Sequence, residues 1–363
     1  MKYENKEAQM IREELTRRGV RKIEDFSPDE WEEVRAEYVD ILCREEYGMP
    51  VPAPDEEWFE ELPLSFSDKR FCAGDAPKQR VVAHTKICGR EFSFPFWAII
   101  PKTEGKYPFI IHNDFEDLLP SKYTPAEEII NNGFALFSLC YKDVTSDDGD
   151  FRNGLAGIVT PDSERRAPTE AGKIQMWAWA NMRVMDYAAT KADKLDLSRS
   201  AVAGHSRLGK TALVTGMLDE RIKYVIDNES GCGGSALARG TTGEKIADIT
   251  KNYPYWFCEN YKKYAGVDPL FDQHFLLASI APRYVLVGSA ADDYWACPSS
   301  QFLCCAAASK AWENLGLDGL VAPDREIVIG DDFNEGHVCY HIRSGDHCFS
   351  RRDWNVYMEI MKK

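Results

Sequence analysis

The sequence predicts an α/β fold in which helices cover both faces of a doubly wound, mostly parallel sheet, giving a three-layer sandwich. Apolar runs of strand length alternate with helical patterns over most of the 363 residues, and this alternation is typical of parallel sheets. Two of the runs, YPFIIHND and NGFALFSLCY, are apolar nearly throughout, as expected of strands buried on both faces. Between them, TPAEEIINN has a helix start and an acidic first turn.

The first part of the chain follows a different pattern. Residues 1–60 are predicted to form an N-terminal helical extension that ends in the proline-rich stretch GMPVPAPDEEW, because proline stops a helix and favours an extended linker. Residues 61–363 are predicted to form the α/β domain. Its first strands, RVVAHTKI and EFSFPFWAII, are expected to pair at the edge of the sheet.

The second half supplies the remaining elements. A loop is predicted over residues 144–168, and TEAGKIQMWAWANMRVMDYAAT is predicted as a helix because its apolar residues lie on one broad face. RSAVAGHS is a predicted strand, and RLGKTALVTGMLD is the helix that follows it. The other predicted strands are IKYVIDNES, PRYVLVGSAADD, EIVIGD and HVCYHIRSGDH.

Composition and charge argue against several classes of protein. The net charge is −15, from 44 basic and 59 acidic residues, whereas nucleic-acid-binding proteins usually present a basic face. No apolar run approaches the ~18 residues needed to cross a bilayer. We therefore predict neither a nucleic-acid partner nor a membrane partner.

The N-terminal residues and the cysteines bear on the cellular compartment. The segment MKYENKEAQMIREELTRRG is charged throughout and has no apolar signal core, although a secreted protein whose leader has been removed would look the same. The eleven cysteines include no C-x-x-C pair, so neither a disulfide framework nor a zinc site is indicated. These observations predict a reducing compartment, the cytoplasm, and no metal.

The stretch AVAGHSRLGKTAL contains a candidate nucleophile, Ser206. The pattern G-x-S-x-G is typical of a serine held on a sharp strand-to-helix turn. Here Gly204 is in place, but the second glycine, Gly209, comes one position late. A serine in an ordinary turn of this kind is usually a helix N-cap. On local context alone, nucleophile and cap stay equally open.

A serine hydroxyl needs a base and a group that orients the base. Where a serine stands on such a turn, the acid and the histidine follow it along the chain. His347 lies in a glycine-containing loop just past the last predicted strand, where it can reach over the serine, and we take it as the base. Asp293 and Glu229 each follow a predicted strand, at the edge where α/β sites gather. Either acid could instead be an ordinary solvated carboxylate.

Several further blocks extend the pattern in a fixed order. They are GHSRLGKTAL, NESGCGGSAL, YWFCENY, DQHFLLASIAPR, SAADDYWA and YHIRSGDHCFSRRDW. Together they resemble the glucuronoyl esterase family, carbohydrate esterase family 15, and particularly its bacterial members. The resemblance implies an α/β-hydrolase that cleaves the ester between glucuronic acid on xylan and an alcohol of lignin, without metal or cofactor.

The same resemblance implies roles for individual residues. Ser206 matches the family's nucleophile and His347 its base. Glu229 matches the triad acid, and Asp293 matches an acid found at the more usual hydrolase position in some bacterial members. We expect Glu229 to be the main orienting group, with Asp293 as helper or substitute.

Four more positions match residues that contact the substrate in the family. Arg207 is expected to stabilise the oxyanion, Lys210 and Glu244 to bind hydroxyls of the glucuronate ring, and Trp295 to offer a ring for the sugar to lie against. Without the resemblance, Arg207 and Lys210 would be interpreted as surface cations, and Glu244 and Trp295 as structural residues.

The sequence also departs from the family. Residues 114–117, Asp-Phe-Glu-Asp, replace an asparagine-glycine loop of bacterial members, and their acids are expected near the oxyanion. The triad does not itself select the acyl group, so an acetyl esterase acting on xylan or oligosaccharides is an alternative. A catalytically silent carbohydrate-binding protein is an alternative of another class. The expected partner is in each case a carbohydrate, and a uronic-acid ester in the leading interpretation.

Overall fold

The computed structural model describes residues 10–363, and a ten-stranded sheet runs through this part of the chain. The strands are β1 (Glu56–Glu61), β2 (Lys78–Ile87), β3 (Arg90–Ile99), β4 (Tyr107–Asp114), β5 (Ala135–Cys140), β6 (Leu195–His205), β7 (Tyr224–Asn228), β8 (Tyr284–Ala290), β9 (Asp332–Phe333) and β10 (Val338–Arg343). Their spatial order is β1-β2-β3-β5-β4-β6-β7-β8-β10-β9. The strands from β5 to β10 in this order pair in parallel, whereas β1, β2, β3 and β9 pair antiparallel. The predicted mostly parallel α/β fold is confirmed.

Helices cover both faces of the sheet. They are α1 (Met10–Arg17), α2 (Trp31–Leu42), α3 (Phe66–Lys69), α4 (Ala126–Asn131), α5 (Tyr141–Val144), α6 (Ala156–Val159), α7 (Lys173–Ala189), α8 (Arg207–Leu218), α9 (Ile246–Asn252), α10 (His274–Ala278), α11 (Pro298–Ala308), α12 (Lys310–Asn314) and α13 (Arg351–Lys362). Successive strand residues point to opposite faces, so Val202 and Val225 join one apolar cluster with α7, α8 and α11. Ala203 and Ile226 join a second cluster with α4 and α13. No helix within residues 10–363 is long and apolar enough to span a membrane.

The N-terminal residues share the core of the α/β domain. Trp31 and Leu42 of α2 are buried in the same cluster as α7 and α8. The ring of Tyr38 stacks on Phe275 of α10 at a centroid distance of 4.5 Å. Arg35 donates hydrogen bonds to two backbone carbonyls of the α/β domain, at 2.7 and 2.9 Å. The boundary predicted between residues 60 and 61 falls inside β1, and the division into extension and domain stays a prediction.

Two strand predictions need correction. The pair β2 and β3 does not form the edge of the sheet, because β1 continues the sheet beyond β2. The segment EIVIGD is not a strand. Asp331 accepts a hydrogen bond from the backbone N–H of Val328 at 2.8 Å and pairs with Arg325, which closes a turn and leaves Val328 and Ile329 exposed. Local side-chain bonding thus overrides the strand propensity of the valine and isoleucine residues.

Candidate active site

Four of the predicted site residues follow four adjacent parallel strands. Ser206 comes directly after β6 and Glu229 directly after β7. Asp293 follows β8 by three positions, and His347 follows β10 by four. Because the carboxyl ends of parallel strands meet at one edge of the sheet, these side chains lie together there. They line one cavity of about 290 Å³.

Ser206 lies at a sharp turn between β6 and α8. Its backbone has φ 57° and ψ −126°, a conformation that costs a residue with a side chain ~1–3 kcal/mol. Two glycines permit the close crossing of strand and helix. A Cβ on Gly204 would meet the Leu208 carbonyl oxygen at 2.0 Å, and a Cβ on Gly209 would meet Asp227 at 2.2 Å. The Ser206 side chain makes no capping hydrogen bond, so the turn has the geometry of a nucleophile elbow rather than of a serine N-cap.

His347 lies between two carboxylates. Its Nδ1 is 2.6 Å from Asp293 Oδ2 and 3.2 Å from Glu229 Oε2. Its side chain is 43 % exposed. A proton on Nδ1 donated to Asp293 leaves Nε2 as the proton acceptor. The shorter contact belongs to Asp293, whereas Glu229 was the predicted main orienting group.

Glu229 has other partners that explain this difference. Its Oε1 accepts a hydrogen bond from Arg343 at 2.6 Å, and its Oε2 accepts one from the backbone N–H of Cys348 at 3.0 Å. Cys348 is the residue after His347, so Glu229 also anchors the loop that carries the histidine. The buried Glu229 carboxylate thus holds the His347 loop in place and keeps a negative charge beside the imidazole.

The electrostatics of the three groups are linked. Burial lowers the pKa of His347, but hydrogen bonds and charge from Asp293 and Glu229 outweigh burial and raise it to about 9. Burial raises the pKa of Glu229 to about 7 against the opposing effects of His347 and Arg343. For Asp293, burial is opposed by the hydrogen bond from His347, which leaves its pKa lowered. The two acids make the imidazole a stronger proton acceptor.

Arg207 begins α8, next to Ser206, and its side chain is held by residues that sequence reasoning missed. Its guanidinium pairs with Asp147 and lies 4.7 Å from the ring centroid of Trp256. Asp147 also accepts hydrogen bonds from Trp256 Nε1 at 2.7 Å and from the Tyr141 hydroxyl at 2.9 Å. Asp147 lies in the predicted 144–168 loop, where nothing in the local sequence indicates a partner for Arg207.

The remaining predicted residues line the same cavity. Lys210 is buried and donates a hydrogen bond to the Ser230 carbonyl. The backbone N–H of Glu244 donates to the Trp295 carbonyl at 2.9 Å, while the Trp295 side chain is 56 % exposed at the mouth of the cavity. Burial lowers the pKa of Lys210 and raises that of Glu244, in each case against the charge of the other residue.

The acids of the 114–117 loop do not face the cavity, contrary to the sequence-based expectation. Asp114 is fully buried and accepts a hydrogen bond from the Ser121 hydroxyl at 2.6 Å. Asp117 pairs with Arg80 at 2.5 Å on the outer part of the sheet. Hydrogen-bond donors close to Asp114 and Asp117 compensate the charges of these two carboxylates, and the sequence alone does not place those donors.

A serine on a strained turn at the carboxyl edge of a parallel sheet, with histidine and acids from later loops, defines an α/β-hydrolase. A sequence model of the family described as "Glucuronyl esterase, fungi" matches residues 88–316. The chain belongs to the glucuronoyl esterase family, which confirms the resemblance found in the sequence.

Two individual relatives with esterase names also match the sequence. The chain is 36 % identical over 240 residues to "Carbohydrate esterase MZ0003" from an unknown prokaryotic organism, covering 64 % of this chain and 54 % of that protein. It is 38 % identical over 302 residues to the 4-O-methyl-glucuronoyl methylesterase of Podospora anserina, covering 80 % and 57 %. The chain thus spans little more than half the length of these two relatives.

Solved structures match over more of their length. The glucuronoyl esterase from Solibacter usitatus superposes with a TM-score of 0.83 at 27 % identity, covering 93 % of this chain and 94 % of that one. A promiscuous carbohydrate esterase family 15 esterase from a marine bacterial metagenome gives a TM-score of 0.80 at 27 % identity, with 93 % of each chain covered.

Proposed function

We propose that this protein is a serine esterase that hydrolyses glucuronoyl and 4-O-methyl-glucuronoyl esters of plant cell-wall carbohydrate. One observation carries the proposal: Ser206, on its strained turn, shares a cavity with His347, whose Nδ1 contacts Asp293 at 2.6 Å. The names of the relatives, glucuronoyl esterase and 4-O-methyl-glucuronoyl methylesterase, support the choice of acyl group.

The proposed reaction has two halves. Ser206 Oγ attacks the ester carbonyl while His347 Nε2 takes the hydroxyl proton, and Asp293 holds the imidazole in the required tautomer. The C–O bond to the alcohol then breaks, and His347 returns the proton to the leaving alcohol oxygen. In the second half, water attacks the acyl-enzyme while His347 Nε2 takes its proton. The bond to Ser206 Oγ then breaks, and His347 returns the proton to that oxygen, which releases the uronic acid and restores Ser206. No metal or organic cofactor takes part in these steps.

Charge on the tetrahedral oxygen needs a donor in place before the reaction. Arg207 supplies a fixed cation and, as the first residue of α8, a backbone N–H without an intrahelical partner. Lys210 and Glu244 present a donor and an acceptor for ring hydroxyls, and an acetyl group would use neither. The acetyl esterase alternative is therefore less well supported by the cavity, and the silent carbohydrate-binding alternative leaves the strain at Ser206 without a purpose.

We expect Arg207→Gln to lower kcat/KM for ester hydrolysis by ~10²–10³-fold, the usual cost of losing one oxyanion donor. Asp147→Asn should cost less, ~10-fold, because it loosens Arg207 without removing it. Asp193→Asn is the control, since Asp193 is exposed and lies in a turn away from the cavity. Equal activities of the Asp147 and Asp193 variants would show that Asp147 does not position the arginine.

Trp295 tests the sugar site with little risk to the fold, because its side chain is 56 % exposed. Trp295→Ala should raise KM for a benzyl glucuronate ester by ~10-fold, because it removes the ring against which the sugar packs. A contact worth about 1.4 kcal/mol corresponds to a tenfold change. Tyr294→Ala is the control, because Tyr294 is 75 % exposed and does not line the cavity. A KM that the two substitutions change equally would remove Trp295 from the site.

The proposed function is tested by steady-state hydrolysis of benzyl glucuronate beside p-nitrophenyl acetate. We expect the uronate ester to have the higher kcat/KM. Turnover of acetate alone would keep a serine esterase but assign it to acetylated sugars, and turnover of neither ester would contradict the proposal. The cytoplasmic location stays a prediction from the cysteine usage.

A further inference from the structure

The proposed mechanism does not use His205, the residue before Ser206. Its side chain is 1 % exposed, and its ring centroid lies 4.3 Å from that of His347. Nδ1 of His205 is 2.7 Å from Asn228 Oδ1. An amide oxygen only accepts, so Nδ1 carries the proton and Nε2 keeps a lone pair. That Nε2 is buried and has no hydrogen-bond partner within residues 10–363, an uncommon state for a buried polar atom.

The free nitrogen lies among other electron-pair donors. One ligand atom from each of His205, Glu229 and His347 lies within 4.8 Å of the other two. Imidazole nitrogen and carboxylate oxygen are the ligands that zinc takes in His₂Glu sites. The hydrogen bond from His205 Nδ1 to Asn228 is also the kind of contact that orients a metal-bound histidine.

The spacing requires only a small movement. Ligand atoms around a tetrahedral zinc ion lie ~3.3 Å apart at metal–ligand distances of ~2.0–2.1 Å. The His347–Glu229 contact of 3.2 Å already has this spacing. The other pairs of ligand atoms lie within 4.8 Å of each other, so a shift of at most about 1.5 Å by the partly exposed His347 ring would complete the site, with its loop still anchored. An ion bound to His347 Nδ1 would displace the hydrogen bond of 2.6 Å that this nitrogen makes to Asp293.

We propose that His205, Glu229 and His347 form an inhibitory site for zinc or a similar divalent transition-metal ion. The inhibitory part rests on the proposed function. Nε2 of His347 must accept the serine proton, and Nδ1 must donate to Asp293, so a metal ion bound to either nitrogen stops the reaction. The metal acts as a reversible inhibitor that competes for the histidine, not as a cofactor.

Binding is measured separately from activity. Isothermal titration of the full chain with ZnCl₂ should give one bound ion per chain, with the wild type and with Ser206→Ala alike, since the serine is not a ligand. His205→Gln should weaken binding by ~100-fold or more, because even loss of an outer partner of a metal ligand costs ~10–100-fold. His84→Gln, on β2 near the far edge of the sheet, is the matched control and should bind as the wild type does.

His205→Cys provides a second variant, because a thiolate is also a zinc ligand. It should retain binding that His205→Gln loses, and melting curves of both variants report whether they fold. In the wild type, zinc should inhibit ester hydrolysis at the concentrations at which it binds, and EDTA should restore activity. His205→Gln should keep its activity in the presence of zinc.

The outcomes are distinct. Absence of zinc binding by the wild type, or undiminished binding by folded His205→Gln, would overturn the site. Binding without inhibition would overturn the inhibitory role. An enzyme that hydrolyses neither ester yet binds one zinc ion through His205 would contradict the proposed function and leave the metal site standing.

Discussion

Ser206→Ala is expected to lower kcat for the uronate ester by on the order of 10⁴–10⁶-fold, as loss of the nucleophile does in serine hydrolases. The substitution removes the attacking oxygen and leaves the cavity, His347 and Arg207 in place. KM and the melting temperature should change little, because alanine keeps the same backbone strain as serine. Steady-state hydrolysis of benzyl glucuronate measures kcat and KM, and thermal unfolding measures the melting temperature.

A second variant separates the chemistry from the strain. Ser206→Gly is equally inactive, but glycine adopts φ 57° without the penalty of a side chain. Its melting temperature should therefore exceed that of Ser206→Ala. Ser67→Ala, on the exposed helix α3, is the activity control. Uronate-ester hydrolysis that survives in Ser206→Ala would refute the assignment of the nucleophile.

Asp293→Asn is expected to lower kcat by ~10³–10⁴-fold, because an amide in this place favours the wrong tautomer of His347. Glu229→Gln should lower kcat much less, by ~10-fold, since its contact with His347 is the longer one at 3.2 Å. Kinetics on the same ester compare the two variants directly. A larger loss of kcat in Glu229→Gln would restore Glu229 as the main orienting acid.

Stability should respond in the opposite order. Glu229 is fully buried and pairs with Arg343, and breaking a buried pair typically costs ~3 kcal/mol or more of the free energy of unfolding. Arg343 keeps Asp353 as a second partner at 2.9 Å, so we expect a loss of about 2–3 kcal/mol. Asp293→Asn should lose less than this, because it removes no arginine pair. Denaturant unfolding of both variants measures the difference.

The sequence predicts most of the fold because the central strands are buried on both faces. Their apolar runs, as in β4 and β5, can only fit the middle of a parallel sheet. The edges are harder to predict. β1 has the sequence EEWFEE with little apolar content, and EIVIGD has strand-like residues whose fate depends on the Asp331–Arg325 pair. Whether a segment forms a strand at the edge of the sheet depends on contacts with residues distant in the sequence or on side-chain bonds, which the local sequence pattern does not show.

The site shows the same division between pattern and contact. The serine turn and His347 follow from motif, order along the chain and family resemblance. The sequence does not predict which of Asp293 and Glu229 orients His347. That depends on which carboxylate oxygen lies closer to His347 Nδ1 and on the ion pair between Glu229 and Arg343. The sequence does not predict the pair of Asp147 and Arg207, because the two residues are 60 positions apart. Trp256, which lies in the block YWFCENY, donates a hydrogen bond to Asp147 and packs against the Arg207 guanidinium.

The most direct test of the account is active-site labelling with a fluorophosphonate, which phosphonylates an activated serine oxygen with loss of fluoride. Mass mapping should place one label per chain on the peptide that contains Ser206. Benzyl glucuronate at saturating concentration should slow the initial rate of labelling, whereas a benzyl ester lacking the sugar should not. A label on another residue, or a labelling rate that the uronate ester leaves unchanged, would contradict a glucuronoyl esterase site built on Ser206.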